Sequence, residues 1–282
     1  MTTMASRAIL LALVLLLAAC PSREGVTPML PVAGGNMPSL PPLPAQDAHI
    51  EAAALEAAAI AASGSGADAL LIARNGHLLL ERYWHGTRGA THVDAGAWQG
   101  LIDDLLVGAL VNDHEPIDTE TPQSRAAIVA AAGMPYEAYL ARRLWRPIGA
   151  ADAVLVPDLR AAQADWLRVG EILANDGVYQ GEEIVRPGWV VRVLERRAAA
   201  HAATTAVSLR GLYRLPGADG AVLWVAPALR LVILRTGAAA ADDRGDADAA
   251  IADYVLRGVT DRPHVPGEPT GMPAPATLVP AH

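Results

Sequence analysis

The chain of 282 residues contains no lysine, no phenylalanine and a single cysteine, Cys20. The first absence matters most for chemistry. All 22 basic residues are arginine, whose guanidinium stays protonated at any working pH. No mechanism that needs a deprotonated lysine amine is therefore open to this protein. One cysteine excludes a disulfide within the chain. Positive charge is scarce overall: a formal net charge of −8 argues against nucleic acid, whose binders need basic patches. No internal repeat and no glycine-rich phosphate loop is present. The eight histidines form no His-x-x-x-His or Cys/His cluster. His77, His85 and His92 alternate with no common face, so neither a metal nor a cofactor is expected.

The ends of the chain differ from its middle. Met1–Ala19 carries one charge, Arg7, followed by an apolar run too short for a mature membrane span, and reads as a secretory signal. Leu17-Ala18-Ala19-Cys20 is similar to a bacterial lipobox, in which the cysteine is lipidated and becomes the new N-terminus. Acyl chains enter a bilayer with about 0.8 kcal/mol per buried CH₂, so Cys20 would hold the protein on a membrane. Pro21 after the cysteine is compatible with the outer membrane, facing the periplasm. Residues 20–47, rich in Pro, Gly and Ser, read as a lipidated tether, and 258–282 as a disordered Pro-rich tail. The folded domain is expected over 48–257.

Within that domain, Ala48–Ala62 reads as an Ala-rich helix. Ala69–Tyr83 comprises two apolar runs around Asn75-Gly76, a hairpin signal because both turn residues need positive φ. Trp166, Val169, Gly170 and Leu173 recur with helical spacing. Asn175-Asp176-Gly177 then stops the helix, and a second helix is expected to start at Pro187. Gly220–Pro227 and Leu231–Gly237 read as antiparallel strands, and Ala241–Leu256 as a closing helix. The six tryptophans read as core or groove packing.

The stretch Asp165–Val190, with its helix, turn, Gly-Glu-Glu-Ile-Val and Pro-Gly-Trp, resembles the serine β-lactamase-related family. This family comprises class C β-lactamases, D-Ala-D-Ala carboxypeptidases and related esterases. Residues 135–149, from Pro-Tyr-Glu-Ala-Tyr-Leu to Leu-Trp-Arg-Pro-Ile-Gly, resemble another of its elements. So does the whole order of elements from 48 to 257. The resemblance implies an α+β fold. One antiparallel sheet is expected, with helices 48–62 and 241–256 on one face and helix 97–111 on the other.

It also implies a chemistry that the residues do not supply. Family members acylate the serine of a Ser-x-x-Lys motif opening a buried helix, the lysine helping to deprotonate the hydroxyl. Here Leu105–Asp113 resembles the continuation of that helix. Counting back puts Ala97 in the serine slot and Gly100 in the lysine slot. No serine lies between Ser65 and Ser124. The family's Tyr-x-Asn loop has no counterpart, since only Pro116–Gly133 separates the two flanking elements and much of the helical subdomain reads as missing. The Lys-Thr-Gly or His-x-Gly strand motif falls at Ala218-Asp219-Gly220, where Asp219 would repel a substrate carboxylate. Arg235-Thr236-Gly237 imitates that motif but is expected at the wrong end of the wrong strand. Gly64-Ser65-Gly66 reads as a linker turn. Asp103 and Asp104, adjacent in mid-helix, need water or an arginine partner.

The reading is a membrane-anchored, catalytically inactive domain that binds a cell-wall peptide or an envelope protein. Two alternatives stay open: an active serine hydrolase with a non-standard site, and a decayed product with little function.

Overall fold

The computed structural model describes residues 28–201, 211–238 and 244–261. The signal segment, Cys20, the proximal part of the tether and most of the Pro-rich tail lie outside them. No helix among the described residues is long and apolar enough to cross a membrane.

The described residues begin with a short strand, Leu30–Val32 (β1), and a helix, Ala52–Gly64 (α1). The hairpin Ala69–Arg74 (β2) and His77–Tyr83 (β3) follows, then a short strand, His92–Asp94 (β4). Next come the helices Trp98–Asn112 (α2), Arg125–Ala132 (α3) and Tyr136–Leu140 (α4), the last continuing as a π-turn over Ala141–Trp145. Strands Ala153–Val156 (β5) and Asp158–Ala162 (β6) lead into helix Gln163–Ala174 (α5). A minimal hairpin, Val178–Tyr179 (β7) and Glu182–Glu183 (β8), precedes helix Trp189–His201 (α6). Strands Tyr213–Pro216 (β9), Val222–Ala226 (β10) and Leu231–Thr236 (β11) and helix Arg244–Gly258 (α7) complete the fold.

The main sheet is antiparallel throughout, in the order β3-β2-β11-β10-β9. Its turn residues adopt the expected backbone, with φ of 54° at Asn75 and 77° at Gly76. Alternation with period two divides its side chains between two cores. Leu70, Ile72, Val222, Trp224 and Ile233 meet Leu55 of α1 and Ile251 and Val255 of α7. Leu71, Ala73, Leu223, Val225, Val232 and Leu234 face the larger core on the other side. The helix lying on that second face is α5, and the expectation that helix 97–111 would cover it is corrected. Gly170 of α5 is the reason for the close approach, since a Cβ there would stand 2.4 Å from Val232 Cγ1. Helix α2 lies beyond α5 and reaches the sheet at its edge, where the Trp98 indole N–H donates to Leu215 O at 2.9 Å. Trp98, Trp166 and Trp145 pack in succession between these elements, with centroid separations of 5.0 and 6.2 Å.

Two further boundaries differ from the sequence expectation. The tether expected over 20–47 is integrated into the fold from residue 28. Leu30–Val32 pairs with Ala153–Leu155 in a second antiparallel sheet, β1-β5-β6-β4, and Val32 and Leu40 are buried. The buried guanidinium of Arg168 donates to the carbonyls of Met37 at 2.9 Å and Pro38 at 2.6 Å, binding a segment that has no periodicity of its own. The helix expected from Pro187 begins at Trp189, because Gly188 takes φ 77° and donates its N–H to the Asp176 carboxylate.

Candidate functional site

Ala97 stands at the N-cap of α2, with φ −64° and ψ −18°, and its methyl group is exposed. The helix is held at this end by backbone bonds from Trp98 N–H to Ala95 O and from Gln99 N–H to Gly96 O, at 2.9 and 3.0 Å. An alanine accepts no hydrogen bond from the first turn, so the start of α2 rests on packing rather than on capping. One turn on, Gly100 lies beneath Arg197 of α6. A Cβ at position 100 would be 2.9 Å from Arg197 Nη2 and 3.3 Å from Nη1. The guanidinium is fixed there by Asp104, whose Oδ2 accepts from Nη2 at 2.7 Å and from Nε at 3.0 Å. Asp104 is 6% exposed, so the arginine neutralises a buried carboxylate as it fills the space over Gly100.

The other acid of the pair has different company. Asp103 Oδ1 accepts from the Tyr136 hydroxyl at 2.5 Å and from Gln99 Nε2 at 3.0 Å. Burial holds its carboxyl above the usual range, and these two bonds partly offset the effect. Gln99 also accepts from Leu159 N–H at 2.9 Å, tying α2 to β6. Mid-helix acids are thus accommodated by an arginine and a tyrosine contributed from distant segments.

The described wall opposite α2 packs tightly against it. Segment 216–218 lies against residues 96–98: a Cβ on Gly217 would come within 2.7 Å of the Trp98 ring, and one on Gly96 within 2.7 Å of Ala218 N. Among the described residues, a space lined by Ala97, Trp98, Leu101, Arg197, Leu215 and Pro216 is about 20 Å³. That holds one water molecule, not a peptide. Asp219 is not part of this wall. It sits exposed in the β9–β10 turn with φ 49°, where Gly217 N–H reaches Ala221 O at 2.7 Å and Ala221 N–H reaches Ala218 O at 2.8 Å.

The architecture around these positions is similar to several solved structures. A β-lactamase from Mycobacterium bovis superposes with a TM-score of 0.55 and 14% identity over 72% of this chain and 99% of that one. EstCE1, a hydrolase with promiscuous acyltransferase activity, gives 0.52 and 12% over 72% and 100%. FmtA from Staphylococcus aureus gives 0.53 and 11% over 86% and 93%. The fold is that of the β-lactamase-related serine hydrolases. No family model and no curated protein matches the sequence. At such identities the likeness is one of fold, and chemistry has to be read from the residues present.

Among the described residues no serine stands at the β-lactamase-like cleft. Ser65 is buried and donates to Ala62 O at 3.0 Å, and Ser124 caps α3 by accepting from Ala127 N–H at 3.2 Å. Ser208 lies outside the described residues. Arg235, fully buried, donates to the carbonyls of Gly220 at 3.0 Å and Ser65 at 3.1 Å, and also to that of Gly237. The Thr236 hydroxyl donates to Gln163 Oε1 at 2.7 Å. The Arg235-Thr236 pair is therefore interior structure, not an anion site. It lies two strands from β9 but at the same end of the sheet, since Arg235 pairs with Val222 and Val222 with Pro216. The expectation of the wrong end is corrected. Among the described residues no group of three His, Asp, Glu or Cys side chains is placed to hold a metal.

The two expected slots, Ala97 and Gly100, fall at the start of α2, whereas Arg197 was not among the expected site residues. Its only advance signal was the Asp103-Asp104 pair, which called for water or an arginine without saying which.

Proposed function

We propose that this protein is a lipid-anchored component of the bacterial envelope whose β-lactamase-related domain does not hydrolyse and acts by binding, its partner a cell-wall peptide or an envelope protein. The observation that carries the inactive reading is the Arg197–Asp104 pair over Gly100. It occupies the space in which a family lysine would activate a serine, and no serine among the described residues faces it. A serine hydroxyl is a weak nucleophile at its own pKa and needs a neighbouring base; with both groups replaced, no acyl intermediate has a route to form. The cavity of about 20 Å³ supports a second point: ligand recognition does not use the vacated cleft. Attachment through Cys20 places the domain at the periplasmic face of the outer membrane.

The test is covalent labelling. The full-length chain incubated with fluorescent penicillin should remain unlabelled on a denaturing gel, and a chromogenic cephalosporin or short-chain ester should turn over no faster than in buffer. Stoichiometric labelling would overturn the reading and favour a hydrolase with a non-standard nucleophile, which peptide mapping would identify.

A further inference from the structure

A cavity of about 700 Å³ opens at the other end of the sheet from Ala97, where the Asn75-Gly76 turn, the C-terminal end of α5 and the β7–β8 hairpin converge. Its register position makes the separation plain: Pro216 pairs with Val222, whereas this cavity lies beyond Ala226, Leu231 and Arg74. Glu171 of α5 lines it. This carboxylate is 1% exposed. Its Oε2 accepts one bond, from Asn175 Nδ2 at 3.2 Å, while Oε1 is buried with no hydrogen-bond partner among the described residues.

Little in the surroundings compensates the charge: besides the Asn175 amide only the Gly76 backbone N–H favours the carboxylate, and burial outweighs both. Glu171 lies in the last turn of its helix, where the helix dipole is negative and disfavours an anion. Asp176, on the following turn, is committed to the Gly188 N–H. Arg168, on the same helix, spends its guanidinium on the carbonyls of Gly149, Met37 and Pro38 and on Asp165. From the hairpin, His77 Nδ1 pairs with Asn75 O at 2.9 Å. Tyr179, from β7, is a phenol that burial keeps neutral. Arg230, at the β10–β11 connection, is exposed and forms no ion pair with Glu171. A buried carboxylate oxygen without a donor is expensive, and the group that completes it is a cation with N–H bonds to give. The neighbouring walls are apolar, from Leu40, Pro41, Ala174, Val178 and Pro227.

We propose that this cavity binds a small aliphatic primary amine, whose ammonium group donates to Glu171 and whose carbon chain lies along Leu40, Pro41, Ala174 and Val178. The site is independent of the vacated cleft and does not rest on the inactivity of that cleft.

Isothermal titration of the full-length chain with n-hexylamine tests this, with n-hexanol as a neutral analogue of matching length. The amine should bind with one-to-one stoichiometry and at least about tenfold more tightly than the alcohol, the margin of a charge-assisted hydrogen bond. Glu171→Gln keeps the shape of the side chain and removes the charge. It should lower amine affinity to the level of the alcohol and leave alcohol binding unchanged. Burial raises the Glu171 carboxyl to about 7, so amine affinity of the unaltered protein should also fall as the pH is lowered through that value. Absence of binding at millimolar amine, equal affinity for amine and alcohol, undiminished amine binding by Glu171→Gln, or a pH-independent affinity would each overturn the proposal.

Discussion

Replacing Arg197 with methionine keeps an unbranched stem over Gly100 while deleting the guanidinium. Asp104 would then be left 6% exposed with no cation. Removing one partner of a buried ion pair costs about 3–5 kcal/mol, because the survivor is desolvated and unpaired. Here the arginine side chain is 24% exposed and the aspartate 9%, so water reaches one side and the expected cost is lower, about 2–3 kcal/mol. For a domain of this size each kcal/mol moves the melting temperature by about 2–4 °C, which predicts a fall of about 5–10 °C. Asp104→Asn should cost less, since arginine can turn towards solvent. The double variant should recover part of the loss, giving a coupling energy of about 1.5–2.5 kcal/mol in a cycle measured by urea unfolding. A coupling below about 0.5 kcal/mol, the worth of an exposed surface pair, would refute the claim that Arg197 is fixed over Gly100 by a buried partner.

Restoring Ala97→Ser and Gly100→Lys together should give no measurable penicillin acylation, because the new lysine would meet the Arg197 guanidinium and the tightly packed wall leaves no room for substrate; rapid labelling would show that the cleft opens. Cys20→Ser should abolish incorporation of labelled palmitate and release the protein from membranes, whereas full retention would mean that the apolar segment is an uncleaved anchor. Burial raises the Asp165 carboxyl to about 6 and the Glu171 carboxyl to about 7, so the unfolded chain releases these protons first and stability falls as the pH rises from about 4 to 7. Glu171 contributes up to about 3 kcal/mol of that fall, and Glu171→Gln should stabilise the ligand-free protein at neutral pH but not at pH 4. An equal effect of the substitution at both pH values, followed by chemical denaturation, would refute the assignment of the charge.

The main sheet was legible because each of its signals is local. Asn75-Gly76 specifies a turn through its own backbone preference. The near-continuous apolar runs in Ala69–Arg74, Val222–Ala226 and Leu231–Thr236 describe strands with a core on both faces, and the fold buries every residue of all three. The second sheet was not legible. Leu30–Val32 is three residues long, too short to display a period, and its partner at Ala153–Leu155 lies more than a hundred positions away. Proline and glycine around it suggested a tether by composition, yet the same backbone offers the free carbonyls that Arg168 requires. Composition describes what a segment would do alone, not what a buried guanidinium makes of it.

The two sites divide in the same way. Ala97 and Gly100 were assigned by counting along one helix, because a catalytic motif on a helix is a local pattern. Asp219 was assigned to the cleft by its order in the chain, but its positive φ puts it in an exposed turn, and order alone does not carry orientation. Arg197 lies 93 positions from Asp104, and Glu171 reads as an ordinary charged position on an amphipathic helix until its burial is known. Active clefts hold groups in positions that do not favour stability. Here the same positions serve stability: glycine at 100 admits the guanidinium, Asp104 holds it, and the indole of Trp98 fills the wall. The group left largely uncompensated is Glu171, at the far end of the sheet, and by the same reasoning that end is where a ligand has most to gain.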